Sequence, residues 1–83
     1  MPIDFHPHAY ERMEERGANK EEVYLAITRG ECFPAKFGRM GFRHNFSFEN
    51  YWRGKYYHTK QIEAYCVKQK NGWLVLTVVT RYF

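Results

Sequence analysis

The stretch Ile62-Glu-Ala-Tyr-Cys-Val-Lys-Gln-Lys-Asn71-Gly72-Trp-Leu-Val-Leu-Thr-Val-Val-Thr-Arg-Tyr82 decides the fold. Ile62, Ala64 and Cys66 alternate with Glu63, Tyr65 and Val67, the period of two expected of a strand with one buried face. Asn71-Gly72 is the strongest short hairpin signal in the chain. Beyond it, residues 73–82 are almost all β-branched, aromatic or Leu. That composition predicts a central strand covered on both faces. If Lys70 faces Trp73 across the turn, Val67 pairs with Leu76, Tyr65 with Val78 and Glu63 with Thr80. Thr80 and Tyr82 then share a face with Glu63.

Upstream, Tyr56–Lys70 predicts one long strand. Phe42, Phe46 and Phe48, alternating with Arg43, Asn45 and Ser47, predict another. Residues 49–55 are expected to connect them as a loop with Trp52 and Arg53 exposed at its tip. Before residue 31 the period is helical. Val23, Ala26 and Ile27 form an apolar stripe, Asn19 and Glu22 a capping-box pair, and Gly30 a stop. A preceding helix spans 7–16, with Pro7 at its first position and Gly17 at its end. Ala9 and Met13 would anchor it. Two helices near 7–16 and 20–29 followed by about four antiparallel strands make an α+β domain covering residues 1–83 as one unit.

Composition narrows the classes. With 45% hydrophobic and 19% aromatic residues the chain can bury a core, which excludes a disordered polymer. No run reaches the roughly 20 apolar residues of a membrane span, and no secretory signal is recognisable. Cys32 and Cys66 stand alone, without zinc spacing, and are expected as reduced, buried thiols of a cytoplasmic protein. The net charge of +4 is unevenly spread. Residues 1–33 hold four Lys/Arg against seven Asp/Glu, a balance of −3, whereas residues 34–83 hold nine against two, a balance of +7. A basic half laced with Tyr and Trp suits nucleic acid; the alternative is a soluble sheet whose lysines protect its edges.

The first helix brings chemistry. His8, Arg12 and Arg16 are spaced four apart and fall on one helix face. Imidazole moves protons near neutral pH, and guanidinium grips phosphate oxygens bidentately. The bland alternative is a solvated face paired with Glu11 and Glu15. In the chemical reading, His8 takes the proton of an RNA 2′-hydroxyl while Arg12 and Arg16 stabilise the phosphate. A proton donor for the leaving oxygen is still required, and His58, Arg81 and Tyr82 are all eligible. A non-catalytic module would instead use Arg43, Arg53, Lys55, Lys60, Arg81 and Tyr82 on nucleic acid, with Tyr51, Trp52, Tyr56 or Tyr57 stacking on bases. A protein-binding role, such as an accessory protein of a mobile element, is a further alternative. His6 and His8 with His44 or His58 match no established zinc pattern, so no metal is expected.

The pattern His8-Ala9-x2-Arg12-Met13-x2-Arg16-Gly17, then Val23-x3-Ile27-x2-Gly30-Glu31, then a basic β-region ending in Leu76-Thr-Val-Val-Thr80, resembles the domain-of-unknown-function 4258 family. That family is placed with the RelE-like and barnase-like ribonuclease fold of bacterial toxins. The resemblance implies two helices on a four-stranded antiparallel sheet and RNA cleavage that needs no metal or other cofactor. It implies His8 and Arg12 as motif positions, Arg16 as support, Thr80 as the terminal-strand position, and a protein antitoxin as partner. Residues 33–57 depart from the family pattern in being longer and unusually aromatic.

Overall fold

The computed structural model describes residues 2–83. Its chain order is β1 (Ile3–Phe5), α1 (Pro7–Arg16), α2 (Lys20–Arg29), β2 (Glu31–Pro34), a single 3-10 turn (Lys36–Gly38), β3 (Met40–Trp52), β4 (Lys55–Gln69) and β5 (Gly72–Tyr82). The class is α+β, and both helices end where their local signals place them. Pro7 opens α1, and Gly17 closes it in the left-handed region at φ 74°. Asn19 and Glu22 complete a reciprocal capping box on α2, and Gly30 ends that helix. Ala9 and Met13 from α1, with Val23, Ala26 and Ile27 from α2, meet Phe42, Ile62, Ala64, Cys66, Val75 and Val78 in one core.

The sheet corrects the expectation of four antiparallel strands. Five strands lie in the order β1-β5-β4-β3-β2, and β1 runs parallel to β5. Thus β4, not β5, is the central strand. Only Trp73–Val75 of β5 have β1 beside them. Farther along, the outer edge of β5 is met by α1, and the Arg16 guanidinium donates to the Val78 carbonyl oxygen at 2.6 Å. A bare strand edge is a pairing hazard, and a charged side chain laid on it removes the opening.

The hairpin register is also corrected. Gln69 pairs with Gly72 and Lys68 with Trp73, so Lys70-Asn71 form the turn and Gly72 belongs to the strand. Glycine is required there for another reason. The backbone of residue 2 crosses so closely that an added Cβ would collide with the Pro2 carbonyl oxygen, which accepts from the Trp73 N–H at 3.0 Å. The register then shifts between Tyr65 and Cys66, leaving Leu76 as an extra residue in β5. This bulge reverses the alternation. Val75 and Val78, three apart, both enter the core, and Thr80 pairs with Ile62 instead of Glu63. Thr80 and Tyr82 therefore share the helix-covered face, while Thr77, Val79 and Arg81 share the other face with Glu63.

Residues 49–52, expected in a loop, continue β3, and the true turn is Arg53-Gly54. Both turn residues have positive φ, 52° and 84°, as a two-residue type I′ turn requires. Trp52 is not exposed at a tip. Its indole stacks on the Tyr82 ring, centroids 5.0 Å apart and 15° from parallel. Of the two free cysteines, Cys66 is buried as expected, but Cys32 on the short strand β2 is exposed. Among the described residues no helix is long and apolar enough to cross a membrane.

Candidate functional site

The loop joining β1 to α1 places two imidazoles at the helix start. His6 caps α1, its Nδ1 accepting the His8 backbone N–H at 3.1 Å. An Nδ1 that accepts leaves Nε2 as the protonated nitrogen of a neutral ring. One turn along α1, the Arg12 Nε donates to His8 Nε2 at 3.3 Å, and Arg12 Nη1 reaches Glu15 at 3.0 Å. The i,i+4 spacing thus brings His8 and Arg12 into direct contact. Arg16 lies on the same face but is held at the β5 edge by the Val78 carbonyl.

These side chains line an open cleft of about 570 Å³ with His6, Arg39, Leu76, Thr77 and Val79. The bulge at Leu76 shapes its floor by turning Thr77 and Val79 toward it. Arg39 arrives from the loop after the Lys36–Gly38 turn. It lies over the Phe37 ring at 5.6 Å and forms no ion pair among the described residues. Three arginines and two histidines therefore converge on one concave surface that runs along α1 from Arg16 to the helix N-terminal end at His6. The helix amides there add to the positive field. His6 and Arg39 carry no local sequence signal for the site. Arg39 reaches it only through the path of the β2–β3 connection.

Thr80 is not in this cleft. It lies behind Arg16 in a separate 190 Å³ hollow with Glu15, Arg16, Trp52, Arg53 and Tyr82, and its buried hydroxyl has no hydrogen-bond partner. The bulge that exposes Thr77 and Val79 to the cleft is what turns Thr80 away.

The basic residues of the sheet occupy different positions. The C-terminal carbonyls of α1 need donors, and two of those residues, together with the Tyr82 hydroxyl, supply them. Arg53 donates to Glu15 O at 2.8 Å, Tyr82 to Arg16 O at 2.9 Å, and Lys60 to Gly17 O. Lys60 is only 7% exposed and also pairs with Glu22 at 2.9 Å. Gly17 fits closely over this knot, where a Cβ would come within 2.7 Å of the Tyr82 hydroxyl. On the opposite face, Arg43 and Arg81 both bind Glu63, at 2.7 and 2.8 Å, and the Tyr65 hydroxyl donates to it at 3.0 Å. Glu63 is 3% exposed. Burial alone would raise its pKa, but the hydrogen bonds from Arg43, Arg81 and Tyr65 outweigh that and hold it below the usual value. Lys55 remains near the hairpin turn, over the Tyr57 ring at 5.6 Å.

Of the eligible proton donors, none lines the His8 cleft. Arg81 and Tyr82 are engaged as described. His58 contacts Glu49 at 3.1 Å beside Tyr56, whose hydroxyl donates to the same carboxylate at 2.6 Å. The Glu49 carboxyl is held below its ordinary value by these two hydrogen bonds, Tyr56 first. His44 packs edge-on against Phe46. Among the described residues no three His, Cys, Asp or Glu side chains group as metal ligands. The Cys66 thiol is pushed up to about 12 by burial and is inert as a nucleophile.

No curated protein and no solved structure matches the chain. A family model described as "Domain of unknown function (DUF4258)" matches residues 5–80 and so takes in both helices, the whole cleft and nearly all of the sheet. With that span matched, the chain belongs to the domain-of-unknown-function 4258 family.

Proposed function

We propose that the cleft at the β5 edge binds an RNA phosphodiester and cleaves it without a metal, as a toxin-type ribonuclease of RelE-like or barnase-like descent. The observation that carries this reading is the convergence of His6, His8, Arg12, Arg16 and Arg39 on one open surface. His8 takes the proton of the 2′-hydroxyl, whose oxygen attacks phosphorus. Arg12 and Arg39 receive the charge that develops on the nonbridging oxygens, with Arg16 completing the wall. The bond from phosphorus to the 5′-oxygen breaks, the leaving oxygen takes a proton from solvent water, and His8 returns the proton it accepted to the hydroxide so formed. The products are a 2′,3′-cyclic phosphate and a 5′-hydroxyl. An incoming phosphate also competes for Arg12, drawing its Nε from His8 Nε2 and freeing the atom that must accept the proton.

The Arg12–His8 contact favours a second reading as well. If Arg12 stays on Nε2, the cleft holds RNA but the base is blocked, and the protein is a binding module. Incubation of the purified chain with RNA in excess EDTA separates the two. Cleavage to 2′,3′-cyclic phosphate ends, lost in His8→Ala with folding intact, supports the ribonuclease. RNA binding without cleavage supports the module, and absence of both eliminates each reading.

A further inference from the structure

A second groove continues from the His8 cleft across the helix-free face of the sheet. It is lined by Phe33, Phe37, Tyr65, Thr77 and Val79 beside Lys36 and Arg39, with a volume of about 410 Å³. Arg39, Thr77 and Val79 belong to both hollows, so the two form one trough that is cationic at the α1 end and aromatic at the other. Phe37 is the unusual residue. Its backbone is left-handed, at φ 62° and ψ 35°, a conformation that bulky side chains rarely adopt. Core packing does not account for it, because the ring is 85% exposed and its cationic neighbour is Arg39. A large apolar ring held outward against backbone preference, between Lys36 and Arg39, is suited to an external flat partner.

We infer that this groove is a nucleobase subsite, in which a base flanking the phosphate held at Arg12 and Arg39 stacks on Phe37. The inference rests on the phosphate-cleft reading and adds that the substrate is single-stranded, since a paired base cannot present its face to the ring. Arg39 joins the two subsites, with its guanidinium over the ring and its charge in the cleft. Tyr65, held by its hydroxyl on Glu63 and edge-on to Phe33 at 6.1 Å, gives the groove a fixed wall.

The test uses a mixed-sequence tetranucleotide built on 2′-deoxyribose, which cannot undergo 2′-hydroxyl attack, and its fully abasic counterpart. Affinities are measured in low salt for the wild type, Phe37→Ala, Phe37→Trp and Arg12→Ala. The wild type is expected to prefer the base-bearing oligomer by roughly 5- to 150-fold, the scale of losing one base–aromatic stack. Phe37→Ala abolishes that preference and Phe37→Trp retains it, while Arg12→Ala weakens both oligomers alike. An unchanged preference in Phe37→Ala overturns the subsite but leaves the phosphate cleft standing. A wild type that binds both oligomers equally also overturns it and leaves the groove to a protein ligand. Failure of the wild type to bind either oligomer removes the phosphate reading and the subsite with it.

Discussion

The two ends of α1 put cations to opposite uses. At the N-terminal end His8, Arg12 and Arg39 surround an open cleft, and the partners they have are exposed and exchangeable. At the C-terminal end the cations Arg53 and Lys60, beside the Tyr82 hydroxyl, are fixed on the helix carbonyls, and Lys60 is nearly out of reach of solvent. Arg43 and Arg81 on the sheet are fixed in the same way by Glu63. A basic residue marks a candidate ligand site only where its donors are not already satisfied by the protein. By that criterion the +7 balance of residues 34–83 overstates the surface open to nucleic acid. Much of it neutralises a buried carboxylate and terminates a helix.

Catalysis is where the contrast should be greatest. His8→Ala is expected to lower RNA cleavage by about 10²–10⁴-fold, the contribution of one positioned proton acceptor. Arg12→Ala should cost roughly 10²–10³-fold, the scale of one transition-state donor. Arg43→Ala, at the other face, should leave the rate within a few-fold once folding is verified by circular dichroism. If Arg43→Ala matched Arg12→Ala in a folded protein, the division between open and engaged cations would collapse.

Salt dependence sharpens the same division by counting phosphates. With two or three arginines free to bind, the slope of log affinity against log salt should lie near −2, at roughly −0.7 per single-strand contact. A slope near −5 would mean that Arg43, Arg53, Lys60 and Arg81 leave their protein partners to take phosphates.

Lys60→Met moves the comparison from binding to stability. The substitution preserves most of the side-chain bulk but removes the donor to Gly17 O and the partner of Glu22. Leaving those groups unpaired should destabilise the fold by about 2–3 kcal/mol, read as an earlier midpoint in urea. Removing the Arg12–Glu15 pair by Glu15→Ala should change that midpoint by less than about 0.5 kcal/mol, as for exposed helix pairs. Equal effects from the two would argue that the C-terminal knot is no more than surface pairing.

These differences could be read from the sequence only in part, and the reason is range. Helix limits, caps and the His8-Arg12-Arg16 stripe depend on residues within one turn of each other, and the structure keeps them all. The parallel strand β1, the crossing of Pro2 over Gly72 and the bulge at Leu76 depend on partners far apart in the chain. Asn71-Gly72 carried a hairpin signal in its own right, yet Gly72 answers to Pro2, and the turn moved one residue back. The bulge then decided the face of every later β5 residue, which is why Thr80 leaves the cleft and Thr77 enters it. Arg53, Lys60 and Arg81 look like Arg39 in sequence. Only their placement against carbonyls and Glu63 distinguishes them.

Acid sensitivity gives the smallest effect and isolates one engaged cluster. Buried Glu63 is opposed by its own desolvation but held ionised by Arg43, Arg81 and Tyr65, so its pKa in the fold lies below that in the unfolded chain. A lowered carboxylate pKa means that the unfolded chain binds the proton first as acid is added. The stabilisation is therefore complete above the unfolded value, about 4.3. It is lost as pH falls through the lower folded value. Between pH 7 and 5 the cluster should add no slope to the unfolding free energy. Below about pH 4.3 the wild type should lose stability more steeply than Glu63→Gln, which has no carboxylate at that position to protonate. Glu63→Gln starts from lower stability at neutral pH because an amide cannot accept from both guanidinium groups as a carboxylate does. The two denaturation curves should therefore converge as the acid limit is approached. Parallel curves down to pH 3 would show that Arg43 and Arg81 are not held by Glu63 and are as free to bind a phosphate as Arg39.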